Sequence, residues 1–297
     1  MSLPFDQQRV TALIALLEPS RLTRIVDIGA NPINASPYDG LLAMDGCEVV
    51  GFEPQEDELA ELQKSKGANE TYLPYAVGTG EIGRLNITKQ SGFTSLLEPN
   101  PETVNFLGHF ARGTKVVEQV DIPTVRLDDI KELPEFDLLK IDIQGGERDV
   151  FRSGVNKLRG ALAVITEIAA IPLYKDQPLI DGQMASLGSL GYHLHKFMFL
   201  EQVRINTPVS MTLPSRRFKS QLVDGDAIFI RNLLAINEME TEQLKHLAIL
   251  ADAVFSSFDL AAACLSILID RKVVNKKSVE NYIKLILDYQ AGEGFQK

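Results

Sequence analysis

The sequence predicts an α/β fold with a doubly wound, mostly parallel sheet and an all-helical appendage at its C-terminal end. Short apolar strands alternate with helical segments over most of the chain, which is typical of parallel sheets. Residues 138–143 form a nearly continuous apolar run, as expected of a strand buried on both faces. After Asn237 the strand pattern gives way to apolar residues at helical spacing.

Composition places the chain among ordinary globular proteins and argues against one class of partner. A chain of 297 residues can bury a large core, as one domain with an appendage or as two domains. Its charged fraction of 24% and hydrophobic fraction of 45% are typical of soluble proteins. Because phosphate binding requires a concentrated basic face, the net charge of −10 argues against a nucleic-acid partner.

Cysteine usage and apolar runs give an expectation for the compartment. Cys47 and Cys264 lie far apart without metal-ligand neighbours, which indicates free thiols in a reducing environment. No secretory signal is predicted at the N-terminus. The longest apolar run, residues 260–269, is too short to cross a bilayer. We therefore expect a cytoplasmic protein without a membrane span.

The first elements predict half of a mononucleotide-binding βαβ unit. Residues 3–19 have the spacing of an amphipathic helix, which would pack in the core or cover a cofactor. A strand over 24–28 leads into a tight turn at 29–31, and a helix then connects to a second strand over 48–52. That second strand stops at an acidic residue, Glu53.

The turn in this unit favours a cationic cofactor. Gly29 lets the backbone turn sharply and approach a ligand closely, and Glu53 lies where such folds bind a ribose diol. Asp27 places a carboxylate near the turn, which would repel the phosphates of a dinucleotide. S-adenosylmethionine carries a sulfonium, an ammonium and a ribose, so the turn favours it over NAD. A strand-Gly-helix unit without any nucleotide is the simpler alternative.

The middle of the chain predicts further strands and a long irregular stretch. A polar helix over about 55–66 precedes a third strand that is expected to end near Ala76-Val77. Residues 84–88 and 116–127 have the pattern of further strands or edge pieces. The stretch between them is irregular, and such loops tend to be functional.

Charged residues interrupt the apolar strand at 138–143. Lys140 and Asp142 occupy alternate positions, so both face the same side of the sheet. A buried charged pair is costly unless it is used or well satisfied. Gly145-Gly146 then turns the chain, and Glu147 begins a helix.

The remaining strands complete a sheet with an acidic rim. Residues 161–168 form a buried strand that ends in a carboxylate, a helix follows over 178–190, and strands over 192–199 and 226–232 close the sheet. Ligands bind outside the carboxyl ends of parallel strands. Four acidic residues are predicted to meet there, and helix capping is the alternative for each: Asp27, Glu53, Asp142 and Glu167.

Three helices are predicted after Asn237, the first with a capping box, the second capped by Asp259 and the third beginning at Ser278 and ending before Gly292. We therefore divide the chain into an N-terminal helix (1–21), a cofactor-binding domain (22–233) and a helical appendage (234–297). The appendage carries no chemical motif. Self-association, which would make a homo-oligomer, partner binding and simple covering of the sheet edge are the alternatives for its role.

Five motifs resemble FkbM-family S-adenosylmethionine-dependent methyltransferases: VDIGANP, GFEPQ, TSLLEPN, RLDDI and LLKIDIQGGERDVFRSG. The resemblance covers roughly residues 24–232, and an LY-x-x-QP loop at 173–178 is similar to a bacterial branch of that family. It implies the Rossmann-like, seven-stranded class I methyltransferase fold, with one late antiparallel strand. It also implies methyl transfer to hydroxyl oxygens of sugars or macrolide natural products.

The resemblance assigns cofactor contacts to the turn and the strand ends: Asp27, Gly29, Ala30, Asn31, Glu53, Pro54, Ala76, Val77 and Asp142. Two departures from the family pattern are present. Pro32-Ile33 replaces the usual apolar-Gly step, which predicts a reshaped turn. Gln144 stands where the family usually has Glu, which weakens a role for this position as a base or metal ligand.

A sugar hydroxyl is a poor nucleophile, so a base or a metal is expected to assist. Asp142 is the first catalytic candidate, oriented by Lys140, and Glu167 and His195 are further candidates. Mg²⁺ held by Asp142 and Glu167 is an additional hypothesis. Acceptor contacts are expected from Ser95, Gln144, Glu147, Tyr174 and His193. For the two histidines, which share a strand face, an exposed sheet edge is the alternative.

The sequence therefore leads to an O-methyltransferase acting on a saccharide hydroxyl of a polysaccharide or glycoconjugate. A natural-product O-methyltransferase is the second hypothesis. A deep apolar acceptor pocket would favour it, whereas an open polar groove would favour the saccharide hypothesis. A catalytically weak S-adenosylmethionine-binding module is the third. A nicotinamide enzyme is the last.

Overall fold

The structure, a computed structural model, describes residues 5–32, 35–108, 110–214 and 217–292. Its strands are β1 (Thr23–Ile28), β2 (Cys47–Phe52), β3 (Glu70–Leu73), β4 (Ala76–Val77), β5 (Ile82–Thr88), β6 (Val116–Val125), β7 (Leu138–Ile141), β8 (Ala163–Ala169), β9 (Tyr192–Val203) and β10 (Gln221–Arg231). Its helices are α1 (Gln7–Leu17), α2 (Asp39–Ala43), α3 (Glu56–Ser65), α4 (Pro101–Leu107), α5 (Glu147–Ser153), α6 (Val155–Gly160), α7 (Ile180–Ser189), α8 (Thr241–Ala253), α9 (Phe258–Asp270) and α10 (Lys276–Gly292).

Seven strands form the main sheet in the order β3-β2-β1-β7-β8-β10-β9. Strands β1, β2, β3, β7 and β8 are parallel, whereas β10 runs antiparallel to both of its neighbours. This confirms the predicted seven-stranded, mostly parallel sheet with one late antiparallel strand. The strand order reverses between β1 and β7, and a ligand crevice forms at such a switch point.

The predicted third strand is wrong in extent. It was expected to continue to Ala76-Val77, but β3 ends at Leu73 and β4 belongs to a second sheet with the order β4-β6-β5. Pro74 follows β3 directly, and proline has no N–H to continue a ladder. The second sheet lies beside the carboxyl ends of the main sheet, because β4 follows β3 after two residues.

Strands β9 and β10 extend further than the sequence predicts. Strand β8 ends where Ala169 lies opposite Asp224, yet β9 and β10 continue to pair with each other up to Val203 and Gln221. The two strands therefore form a hairpin that projects past the carboxyl edge of the sheet. Polar residues in these extensions hide the strand pattern in the sequence.

Each face of the sheet is covered by helices. Helices α1 and α8–α10 share one apolar cluster with the sheet, which includes Val10, Leu13, Ile25, Leu138, Ile165, Ile228, Leu247, Leu250 and Leu265. The opposite face packs against α5 and α7 through residues such as Val150, Phe151 and Leu187. The N-terminal helix α1 thus packs in the core, which was the first of its two predicted roles.

Both cysteines and the apolar helices bear on the expected compartment. Cys47 and Cys264 are buried free thiols, and burial raises the pKa of each to about 12. Within the described ranges, no helix is both long and apolar enough to traverse a bilayer.

A buried ionic network joins the two ends of the chain. The Arg9 Nε on α1 donates to both carboxylate oxygens of Asp252 on α8, at 3.1 and 2.9 Å. The Tyr282 hydroxyl on α10 donates to the same carboxylate. All three side chains are at most 2% exposed. Because a buried carboxylate is costly unless it is paired and hydrogen-bonded, these contacts fix three helices against one another.

Replacing Tyr282 with Phe removes one hydrogen bond to a buried charge while keeping the ring. We expect Tyr282→Phe to lower the free energy of unfolding by about 1.5–3 kcal/mol, the usual value for a hydrogen bond to a charged group. Urea denaturation of the full chain measures this loss. Tyr72→Phe is the matched control, since its hydroxyl donates to the half-buried Glu70. Equal losses in the two variants would contradict a special role for the buried network.

Candidate active site

A cleft opens at the carboxyl ends of β1, β2 and β7, on the side where β4 and β5 meet the main sheet. Its volume is about 940 Å³, including space open to solvent, which is within the range of small-molecule sites. Nine of the predicted site residues line it: Gly29, Asn31, Glu53, Pro54, Ala76, Val77, Ser95, Asp142 and Gln144. The fold thus brings residues from five separate segments into one cleft.

Gly29 is required by the close approach of two strand ends. Its φ of +83° lies in the left-handed region, and a Cβ at this position would lie 2.1 Å from the carbonyl oxygen of Asp142. The Gly29 N–H donates to Phe52 O at 3.0 Å, and the Asp142 N–H donates to Ile28 O at 3.0 Å. The ends of β1, β2 and β7 are therefore joined directly at the floor of the cleft.

Ala30 lies within this turn, and Pro32-Ile33 follows it. Ala30 is buried and packs in a small cluster with Leu62 and Tyr72, so any contact with the cofactor would come from its backbone, and its cofactor contact stays a prediction. The predicted departure at Pro32-Ile33 falls partly outside the described residues, since Ile33 is not among them.

Asp27 lies beneath the turn and does not line the cleft. Its carboxylate is 1% exposed, accepts a hydrogen bond from the Tyr38 hydroxyl at 2.6 Å and pairs with the Lys140 ammonium at 3.2 Å. Lys140 was predicted to orient Asp142, but its ion pair within the described residues is with Asp27. Burial acts to lower the pKa of Lys140, yet the carboxylates of Asp27 and Asp142 outweigh it and raise the pKa. Lys140 thus keeps its charge.

Glu53 directly follows β2 at the edge of the cleft. The Gln55 N–H donates to Glu53 Oε1 at 2.7 Å, and burial raises the pKa of Glu53 to about 7. Ala76 and Val77 add an apolar wall, and the Phe52 and Tyr75 rings stack nearby at 6.3 Å between centroids. A glycine turn, a carboxylate and an apolar wall match the methionine, ribose and adenine parts of S-adenosylmethionine, so the residues fit this cofactor.

Gln144 connects the cleft to the next strand. Its Nε2 donates to Asp142 Oδ1 at 2.8 Å and to Glu167 Oε2 at 3.0 Å, while its Oε1 accepts from the Tyr174 hydroxyl at 2.9 Å. Its backbone has φ of +59°, and its carbonyl accepts from Ser95 Oγ at 2.8 Å. Every polar group of this side chain is therefore used, and a neutral amide separates two carboxylates.

The Mg²⁺ hypothesis does not match this geometry. An amide NH₂, which is a donor, occupies the position between Asp142 and Glu167 where the ion was expected. Across the described portion of the chain, no group of three or more His, Cys, Asp or Glu side chains is arranged to hold a metal ion.

Two predicted acceptor contacts support the turn and do not line the cleft. Tyr174 is 1% exposed and donates to Phe93 O as well as to Gln144. Glu147, also 1% exposed, accepts from the N–H groups of Ile143 and Gly145, each at 3.1 Å. Burial raises the pKa of Glu147 to about 7. The structure contradicts both predictions of direct acceptor contact. These two side chains are buried, and their hydrogen bonds stabilise residues 143–147.

Two acidic residues that the sequence reasoning missed extend the site. Asp226 lies opposite Glu167 across the β8–β10 ladder, and Asp224 lies opposite Ala169. Burial, reinforced by neighbouring carboxylates, raises the pKa of Asp224 and of Asp226 to about 6. We call Asp142, Glu167, Asp224 and Asp226 the acidic cluster. The sequence signal for these two residues was their alternate spacing, Asp-Gly-Asp, directly before the apolar residues 227–230. Because β10 is antiparallel, the residues that reach the carboxyl rim of the sheet lie at the start of this strand and not at its end.

The two histidines lie at the other end of the sheet. His193 pairs with Ile230, which pairs with Ala163 at the start of β8. Four residues of strand, about 13 Å, separate that level from Glu167. His195 Nε2 lies 2.9 Å from Ser257 Oγ before α9, and burial together with Lys196 lowers the pKa of His195. The predicted roles of His193 and His195 in the cleft are wrong, because β9 runs parallel to β8 and its first residues lie far from the carboxyl rim.

Titration of Glu53 gives a test of cofactor binding. Its charged form, which accepts the ribose hydroxyls best, increases as the pH rises through about 7. We expect the wild-type Kd for S-adenosylmethionine to fall by up to about tenfold from pH 6 to pH 8, the factor set by a one-unit difference from the pKa. Glu53→Gln is expected to bind about tenfold more weakly at pH 8, without that added slope.

Isothermal titration calorimetry measures both affinities. The ligand's own amino group also titrates in this range, and the Glu53→Gln variant corrects for it. Glu56→Gln, on the exposed start of α3, is the matched control and should follow the wild type. An identical pH slope in wild type and Glu53→Gln would contradict this role.

Gln144→Glu tests the neutral bridge without any acceptor. A third carboxyl group between Asp142 and Glu167 has its pKa raised above the unfolded value, so its cost is absent below about pH 4.5 and grows as the pH rises. We expect the free energy of unfolding to drop by about 1–3 kcal/mol at pH 8 relative to wild type, with most of the loss recovered at pH 5.

The matched control is Gln177→Glu, because the Gln177 oxygen only accepts, from the Leu173 and Tyr174 N–H groups at 2.8 and 3.2 Å. A carboxylate can do the same, so its change should stay within about 0.5 kcal/mol. Urea denaturation at the two pH values provides the measurement. A pH-independent loss in Gln144→Glu would show that the cost is steric.

The chain matches one protein family and is distantly similar to several solved structures. The profile of the methyltransferase FkbM domain matches residues 27–194, more than half of the chain. Among solved structures, magnesium protoporphyrin IX methyltransferase from Synechocystis with bound S-adenosylmethionine is 14% identical, with 76% of this chain and 79% of that chain covered and a TM-score of 0.36. No curated protein matches the chain.

Two more solved structures are similarly distant. Precorrin-6y C5,15-methyltransferase from Geobacter metallireducens is 13% identical, with 77% and 90% covered and a TM-score of 0.37. An S-adenosylmethionine-dependent O-methyltransferase from Thermotoga maritima is 10% identical, with 78% and 67% covered and a TM-score of 0.31. The family profile spans the glycine turn, Glu53, Asp142 and Gln144, and on that basis the chain belongs to the methyltransferase FkbM domain family and is an S-adenosylmethionine-dependent methyltransferase.

Proposed function

We propose that this methyltransferase transfers its methyl group to a hydroxyl oxygen of a saccharide or glycoconjugate. The observation that carries the proposal is the acidic cluster, which continues from the cofactor cleft at Asp142 across β8 to β10. All four of its side chains are half-buried, so they remain accessible to a ligand. An acceptor bound next to the cofactor would therefore contact these carboxylates.

The chemistry of the cluster favours a polyhydroxylated acceptor over an apolar one. A carboxylate has about four lone-pair positions for hydrogen bonds, and sugar hydroxyls are the donors that fill them. An apolar macrolide face would cover these groups without giving them partners, which is costly. The strand residues beside the cleft are acidic, whereas the second hypothesis required a deep apolar pocket.

S-adenosylmethionine supplies a methyl group on a sulfonium, and transfer requires acceptor oxygen, carbon and sulfur to be collinear. The chain's own contribution is mostly positioning, which can supply roughly 7–11 kcal/mol. Gln144 holds one oxygen of Asp142, and Gly29 brings the Asp142 backbone against β1. These contacts hold the Asp142 carboxylate in place, and in this proposal it accepts the proton of the acceptor hydroxyl.

Glu167 has a different role in the proposal. Burial and the charge of Asp142 raise the pKa of Glu167 well above its usual value, which favours its protonated form. A protonated carboxyl group can donate to a sugar oxygen while Asp142 accepts. Lys140 keeps its charge near Asp142 and Asp226 and offsets part of the negative charge of the cluster.

The finer organisation of the chain also belongs to this proposal. Residues 1–21, 22–233 and 234–297 form the N-terminal helix, the methyltransferase domain and the helical appendage. The packing of α8–α10 in one cluster with the sheet supports covering of the sheet as a role of the appendage. Self-association through these helices stays a prediction.

Asp142→Asn tests the function directly. The amide keeps the size of the side chain but cannot take a proton, and a general base contributes about 10²–10⁴-fold. We expect wild type to release S-adenosylhomocysteine with members of a soluble glycan panel, and Asp142→Asn to lose about 10²-fold or more in kcat. Asp121→Asn, an exposed residue of β6, is the matched control and should keep its activity.

Calorimetry with S-adenosylmethionine separates binding from chemistry in the same variants. Product release with macrolide alcohols and none with glycans would favour the natural-product hypothesis. Cofactor binding without release for any acceptor would instead favour a binding module and overturn the proposal.

A further inference from the structure

The loop between β9 and β10, residues 204–220, exposes an unusual amount of apolar surface. Among the described residues, eighteen large hydrophobic side chains are exposed, and eight of them lie between residues 197 and 218. Val209 is 80% exposed, Met211 56% and Phe218 51%. Isolated exposed apolar residues are ordinary, whereas a contiguous group indicates an interaction surface.

The charge of this segment is opposite to that of the rest of the chain. No Asp or Glu occurs from residue 202 to residue 223, while the segment contains Arg204, Arg216, Arg217 and Lys219. The chain as a whole carries −10. Arg217 and Lys219 are exposed, and Lys219 reaches Glu201 at 3.4 Å; Arg216 lies outside the described residues. A basic, apolar segment on an acidic protein favours an anionic partner with an apolar interior.

The loop is held by its own polar groups, which leaves its apolar side chains outside. The Arg204 guanidinium is largely buried and donates to the carbonyl oxygens of Leu213 and Met211. Thr207 and Ser210 hydrogen-bond to each other through N–H and hydroxyl groups at 2.9–3.1 Å. Backbone groups that are satisfied within the loop do not need water, so the loop can enter an interface at low cost.

The loop projects from the same edge of the sheet as the cleft. Strands β9 and β10 continue past the end of β8 at Ala169, and the loop begins after Val203. Val203 and Val223, at the base of the loop, pack in one apolar cluster with Tyr174. Because the Tyr174 hydroxyl donates to Gln144, the base of the loop is joined rigidly to the acidic cluster.

We propose that the β9–β10 loop docks on an anionic lipid surface, with Val209, Met211 and Phe218 entering the interface and Arg217 and Lys219 contacting lipid phosphates. This is how apolar and basic side chains together hold a peripheral protein on a membrane. Docking presents the cleft to an acceptor carried by a membrane lipid. The inference that the acceptor is carried by a membrane lipid rests on the proposed saccharide specificity. Docking of the loop on lipid does not depend on it.

The test is sedimentation of the full chain with vesicles of phosphatidylcholine, with and without phosphatidylglycerol, in the absence of cofactor and acceptor. We expect binding to the anionic vesicles, weakened by added salt, and little binding to phosphatidylcholine alone. The variant Arg217→Gln/Lys219→Gln should lose roughly fivefold in partition coefficient per charge removed. The variant Val209→Ser/Met211→Ser/Phe218→Ser should lose binding at both low and high salt.

Leu234→Ser is the matched control, since Leu234 is 93% exposed beyond the end of β10 and thus at the opposite edge of the sheet. It should bind vesicles as the wild type does. Equal sedimentation of all variants, or none with anionic vesicles, overturns the proposal. So does a dimer in sizing experiments that the loop variants convert to monomer, because the surface would then bind a second copy.

The two proposals fail separately. If the wild type binds anionic vesicles but methylates no glycan, only the saccharide specificity is contradicted. Methylation of soluble glycans without vesicle binding contradicts docking alone.

Discussion

Negative charge buried at the carboxyl ends of parallel strands is the constraint on which the rest of the site depends. A buried carboxylate without partners is so costly that it would take up a proton or prevent folding. Three of these carboxylates have partners of three different kinds. Asp27 has a cation and a phenol, Asp142 has an amide, and Glu147 has two backbone N–H groups. Each solution also fixes a neighbouring segment of the chain.

The choice of an amide at Gln144 has consequences for the chemistry. A glutamate in its place would bring a third negative charge next to Asp142 and Glu167, and such a set would require a shared proton or a cation. The amide donates to both carboxylates and needs neither. Tyr174, from a loop more than twenty residues away in the sequence, completes this arrangement from the other side. The acidic cluster can therefore stay open toward an acceptor.

The sequence predicted the parts of the molecule that local patterns determine. Alternating strands and helices, the glycine turn and the strand-end carboxylates all depend on neighbouring residues, and the sheet and the cleft agree with them. Roles that depend on strand order and direction could not be read in this way. His193 and His195 lie on a strand whose start faces the opposite edge, and Asp224 and Asp226 lie at the start of an antiparallel strand. The burial of Glu147 and Tyr174 likewise follows from tertiary contacts between distant segments.

A single topological feature links the proposed acceptor site to the proposed membrane surface. Because β10 runs against β8, its first residues lie at the rim, and the loop that precedes it must lie beyond that rim. A parallel strand in the same place would begin at the opposite edge, and both Asp226 and the loop would lie far from the cofactor. The reversal thus places acidic side chains against the cleft and basic, apolar ones a few residues further out. The opposite charges of these two neighbouring surfaces are suited to two different partners, a polyhydroxylated acceptor inside and an anionic lipid layer outside.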